Sequence, residues 1–138
     1  MKLNLAVACD DAHVRPDGKL DVVGIFNELS APGFPAAQDR MTVVFVMEWE
    51  SREAGRQPLR ADLIDDAGTM ILTIQGHTDV EARSAERAPA QTRVIMPLER
   101  VIFPKAGRYT FRLRAGDAEV SAFSLFLSQR ETVRDPDA

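Results

Sequence analysis

One cysteine, one tryptophan, one tyrosine and two histidines are all that this 138-residue chain holds of those types, and the scarcity closes off several chemistries. With Cys9 alone, no intrachain disulfide can form, and a reducing compartment is the simpler setting. His13 and His77 are too few for a three-histidine zinc site. No apolar run nears the ~20 residues of a membrane-spanning helix. The glycines follow no phosphate-cradling loop, and no serine lies in a Gly-x-Ser-x-Gly elbow. Positive charge is short as well: 17 Lys and Arg against 21 Asp and Glu leave a net charge of −4, with the basic residues scattered. A dedicated nucleic-acid binder needs a clustered basic surface, so that class is set aside. Leu5-Ala6-Val7-Ala8-Cys9 has the outline of a lipoprotein signal end. The apolar run from Leu3 to Ala8 is interrupted by Asn4 and falls short of the roughly 7–15 residues such a signal needs.

What is present is alternation. Tyr109, Phe111 and Leu113 alternate with Thr110, Arg112 and Arg114, which is the period of a strand with one buried and one wet face. Ala115-Gly116-Asp117 supplies turn chemistry, and an apolar strand returns through Leu127. Earlier, Lys2 to Cys9 reads as a strand that turns at Asp10-Asp11, and Lys19 to Phe26 as its hairpin partner across a long loop. Gly24 inside the second strand signals a bulge or a close backbone approach. Pro32, Gly33 and Pro35 break the stretch from Asn27 to Asp39, which is expected to cross between sheets. Arg40 to Glu50 carries Met41, Val43, Phe45, Met47 and Trp49 on one face and Val44 and Val46 on the other, marking a central strand. Leu59 to Ile64 and Met70 to Ile74 form a hairpin around Asp65-Asp66-Ala67-Gly68, residues 77–91 read as a solvated loop, and Thr92 to Leu98 is a further strand. The expectation is an all-β chain: one antiparallel β-sandwich of about eight strands over residues 1–129, with a frayed polar tail at 130–138.

Asp10, Asp11, Asp17 and Asp21, with His13 among them, are candidates for a calcium loop. Calcium wants six to eight oxygens from more than one loop, so turn-building is the better reading and no metal or cofactor is expected. His77, Asp79 and Glu81 alternate and could share a strand face as an acid/base set. Cys9 continues the apolar face of Leu3, Leu5 and Val7 among acidic neighbours, a setting that keeps a thiol inert. Arg108, Arg112 and Arg114 make a basic strip, but alternation turns Tyr109 and Phe111 away from it, so stacked readout of nucleic acid is not expected.

Three separated pieces carry a resemblance. Asn4-Leu5-Ala6-Val7 runs into Cys9-Asp10-Asp11-Ala12. Gly18-Lys19-Leu20 leads through Val23-Gly24 to Ala31-Pro32-Gly33-Phe34-Pro35. The third piece is Phe103-Pro104-Lys105-Ala106-Gly107-Arg108-Tyr109-Thr110-Phe111. Together they resemble a family of small bacterial proteins that is a domain of unknown function. The resemblance implies an Ig-like β-sandwich and brings no activity, cofactor or catalytic residue.

The resulting expectation is a cytoplasmic, non-enzymatic module that acts through protein–protein contact. The alternative is a small-ligand or carbohydrate-binding sandwich using loops 10–18 and 77–91. Alternation sends Val22, Phe45, Met47, Leu72, Met96 and Phe111 inward. It leaves Val23, Ile25, Val44, Val46, Ile71, Ile95 and Phe126 outward, and a merged outer patch predicts a homodimer through a sheet face.

Overall fold

The computed structural model describes residues 1–131, so 132–138 of the expected tail lie outside the described residues. The described chain is all-β, with nine strands where about eight were expected: β1 Lys2–Val14, β2 Leu20–Phe26, β3 Glu28–Ala31, β4 Ala36–Glu48, β5 Gly55–Asp65, β6 Met70–Val80, β7 Gln91–Phe103, β8 Gly107–Ala115 and β9 Ala118–Gln129. A front sheet runs β2-β1-β4-β7 and a back sheet runs β3-β9-β8-β5-β6. The ninth strand is β3, inside the segment read as a broken crossover. It does cross, leaving the front sheet after β2, pairing in parallel with β9 and returning as β4. That pair departs from a purely antiparallel arrangement.

The two sheets share one core. Met41, Val43, Phe45 and Met47 project from β4, and Leu63, Phe111, Leu113 and Leu125 meet them from the back sheet. Phe45 sits edge-on to Phe111 with centroids 6.1 Å apart, and Phe123 stacks beside Phe111 at 5.0 Å. Such pairs add specific geometry to the burial of large apolar area. At the start of β8, the buried Tyr109 donates its hydroxyl to the Lys105 carbonyl at 2.6 Å and accepts from the Lys105 amide at 3.2 Å. The ring is thereby fixed against Phe103, 4.9 Å away.

The β1–β2 hairpin departs most from the sequence reading. Asp10 and Asp11 do not turn the chain; β1 continues to Val14, and the turn is a tight one at Arg15–Lys19, closed by the Gly18 amide on the Arg15 carbonyl at 2.9 Å. Aspartate is depleted in strands but tolerated on wet edges, which is where these two side chains lie. Pairing of β1 with β4 ends at Cys9↔Thr42, after which the hairpin leaves the sheet plane. Gly24 sits opposite Asp10 with φ 71°, and a Cβ there would come 2.2 Å from the Asp10 carboxylate. Of the two roles open to Gly24, the close approach is the one observed.

Beyond this bend the hairpin folds back over the outer face of the front sheet. Ala12, Leu20 and Val22 pack on Cys9, Val44, Val46 and Ile95. At the tip, Arg93 of β7, two strands away, donates to the Gly18 carbonyl at 2.7 Å. This corrects the expected outer patch: Val44 is 0% and Val46 7% exposed, covered by the chain's own hairpin, and Val22 lies in that outer cluster, not in the main core. Ile71 is also moved. A register shift between Leu63↔Leu72 and Ile64↔Met70 leaves it unpaired, and it packs against the main core.

Candidate functional site

The acidic residues of the first hairpin are held by cations and turns. Asp17 pairs with Arg15 at 2.7 Å and accepts from the Lys19 amide at 3.1 Å. Asp21 faces His13 at 3.3 Å and Arg15 at 3.8 Å, and Asp11 reaches Arg40 at 4.0 Å. Asp10 lies against Gly24. Among the described residues no group of three or more His, Cys, Asp or Glu is placed to hold a metal ion. The hairpin therefore does not bring Asp10, Asp11, Asp17 and Asp21 together as a ligand set.

Residues 77–80, read as part of a loop, belong to β6, so the loop proper is 81–90. His77 and Asp79 share the outer face of β6, opposite Pro58 and Arg56 in the ladder. His77 Nδ1 lies 3.1 Å from Arg56 Nη2, whereas Glu81 is engaged by Arg83 at 3.3 Å and Arg87 at 3.5 Å. No acid/base trio forms from these three. Cys9 is fully buried, with its Sγ 3.5 Å from the Thr42 carbonyl; burial first, then the charges of Asp11 and Asp10, push its thiol above the usual range. Such a thiol has little thiolate and no access, as its place in the apolar alternation implied. On the outer face of the back sheet, Arg112 and Arg114 both pair with Glu119, at 3.7 and 3.0 Å, and Arg60 pairs with Asp62 at 3.0 Å. Asp62 is partly desolvated, which opposes its charge, yet bonds from Thr73 and Arg60 outweigh this and hold its carboxyl below the ordinary range.

Three concave places stand out among the described residues. The first is a groove of about 480 Å³ on the side of the molecule where β2 and β9 meet, lined by Ile25, Phe26, Phe123 and Phe126. Ile25 is 59% and Phe126 45% exposed, and Val23 beside them on β2 is 55% exposed. Arg108 lies over the Phe126 ring at 5.8 Å. The second is a cleft of about 460 Å³ at the end of β4, walled by Glu48, Trp49, Glu81, Arg83 and Arg87; it takes residues from the 81–90 loop and none from 10–18. The third is a cavity of about 200 Å³ between the sheets at the β6 and β7 edges.

Ile25 and Phe126 were readable one by one as outward residues, but their meeting depends on the β3–β9 pairing, which places the end of β2 beside β9. At the third place Met96 lines the cavity as an inward residue, as alternation predicts, whereas Gly76 lies past the expected Met70–Ile74 strand and escapes the sequence reading; its one signal is a glycine just after a strand-like run.

No curated protein matches the chain. The strand and turn motifs pointed to an uncharacterised family, and the comparison agrees at that level. A model of the family of unknown function DUF6941 matches residues 4–128, and this chain belongs to that family.

Proposed function

We propose that the chain is a non-enzymatic, cytoplasmic, Ig-like β-sandwich module that works by protein–protein contact through its β2–β9 side. The observation that carries this is the gathering of Ile25 and Phe126, 59% and 45% exposed, in one groove. Singly exposed apolar residues are ordinary, whereas aromatic and branched side chains grouped on one rim are what interface cores are made of. Support for the Ig-like plan comes from the order β9-β8-β5-β6, from β4 beside β7, and from the tyrosine whose hydroxyl returns to the backbone near the start of β8. The folded-back β2 has no counterpart in that plan, and the single cysteine excludes the inter-sheet disulfide of antibody domains. The buried, inert Cys9 suits a reducing cytoplasm, and the resemblance carries a bacterial origin with it.

The partner proposed is a second copy of this chain, meeting groove to groove about a two-fold axis, since a symmetric dimer is the commonest way for one surface to cover itself. Sedimentation equilibrium at micromolar concentration tests it. A dimer that Ile25→Asp or Phe126→Ser converts to a folded monomer is the expected result. A wild-type monomer, or a dimer indifferent to both substitutions, contradicts the reading.

A further inference from the structure

The inward positions of β6 are set by its register with β5: Ala61↔Ile74, Leu59↔Gly76 and Gln57↔Thr78. Ile74 and Thr78 fill their places, but Gly76 between them presents no side chain to the space between the sheets. A glycine inside a strand is destabilising, so its presence calls for a reason. The backbone supplies none, because Gly76 is not in the left-handed region. Close approach supplies none either, because a Cβ built there meets nothing within 4 Å. What the missing side chain leaves is room.

That room is part of the inter-sheet cavity of about 200 Å³, lined by Phe45, Met47, Ile74, Val94, Met96 and Leu113. Val94 and Met96 are only half-buried, so the two sheets stand apart at the β6 and β7 edges. Next to the opening they are tied together: Thr78 and Thr92 hydroxyls meet at 3.0 Å, and Trp49 Nε1 donates to Thr92 at 2.9 Å. An apolar cavity of ~150 Å³ suffices to take up benzene, so this one has room for an aromatic ring or a short alkyl chain. Methionines adapt readily to either.

On the other side of β6, which is an edge strand, lies a depression lined by Arg56, Arg60, His77 and Arg114, with no acidic residue among its walls in the described residues. It shares Leu59, Arg60, Gln75, Gly76 and His77 with the cavity. Arg60 and Arg114 have carboxylate partners; Arg56 has none within 4.0 Å among the described residues, and its Nη2 lies 3.1 Å from His77 Nδ1. A group leaving the cavity past Gly76 thus meets a guanidinium that no carboxylate of the described residues engages within 4.0 Å, although Asp79 stands opposite it in the ladder. We propose that the inter-sheet cavity binds the apolar tail of a small amphipathic anion, an alkyl or aryl carboxylate, whose carboxylate is held by Arg56. This site is distinct from the β2–β9 groove and does not depend on it.

The test uses the full chain with methyl-labelled methionine, titrated with octanoate and with octanol. Saturable shifts of Met47 and Met96 with octanoate, and none at Met1 or Met70, are expected. Gly76→Leu should abolish those shifts while melting at or above the wild-type temperature; Val94→Phe, which fills the same cavity from β7, serves if the first variant does not fold. Arg56→Gln should weaken octanoate about tenfold, the loss of one charge-assisted contact, and leave octanol unchanged. Absence of shifts at millimolar octanoate, or unaltered binding in the filled variants, overturns the proposal. Octanol binding as tightly as octanoate to the wild type overturns the assignment of an anion.

Discussion

Gly24 and Gly76 are both glycines inside edge strands, and they stand there for opposite reasons. At Gly24 the backbone is left-handed and the Asp10 carboxylate occupies the space a Cβ would need, within the hairpin that packs over the front sheet. At Gly76 neither constraint applies, and the inter-sheet space stays open. One region has its apolar face covered by its own chain; the other keeps an apolar space within reach of solvent. A strand glycine read from sequence announces an irregularity without saying whether it closes a surface or opens one.

The largest effects should come from the two cores on either side of the front sheet. Phe111 is fully buried between the sheets, so Phe111→Ala should cost about 3–5 kcal/mol, against little for the exposed Arg112→Ala. Val44, equally buried but beneath the hairpin, should tolerate a charge no better: Val44→Asp places an unpaired carboxylate in an apolar cluster and should cost about 3–5 kcal/mol. Urea denaturation measures all three, and a Val44→Asp protein as stable as wild type would mean that the hairpin does not cover that face.

The glycines themselves come next. Gly24→Ala forces a left-handed alanine against Asp10 and should destabilise by about 1–3 kcal/mol. Gly76→Ala should raise stability by about 0.5–1 kcal/mol, because the new methyl meets no neighbour and the unfolded chain loses freedom. Equal effects of the same sign would erase the contrast. The smallest effect belongs to Asp62. Its folded-state pKa lies below its unfolded value, so its stabilisation is full above the unfolded pKa and is lost as pH falls through the folded one. Asp62→Asn should therefore flatten the acid limb of a stability–pH profile measured between neutral and acidic pH. An unchanged acid limb would leave Asp62 without a part in it.

Much of the strand plan is written locally. The inward faces of β4 and β8 and the turns at 65–68 and 115–117 follow from alternation and turn chemistry over a few residues, and the structure has them in place. Alternation, however, fixes a side chain's face relative to its own strand and says nothing of what covers that face. This is why Val44 and Val46 read as exposed and are buried, and why Val22 reads as a main-core residue and lies in the outer cluster. The parallel β3–β9 pairing was hidden for a related reason: Glu28–Ala31, just ahead of a proline-containing stretch, alternates over only four residues, too few to mark a strand, and its strand state comes from β9. The β2–β9 groove inherits that difficulty, since its two halves lie about 100 residues apart in sequence.

The fold-back of the β1–β2 hairpin moves the exposed apolar surface from the sheet face to the β2–β9 side, and Cys9 is its internal reporter. Being the chain's single cysteine and fully buried under the hairpin, it allows a thiol-reactive dye to measure closure directly. The account predicts labelling of the native protein orders of magnitude slower than in denaturant, with Gly24→Val accelerating it before the main core is lost. Native labelling as fast as that of the unfolded chain would contradict the account.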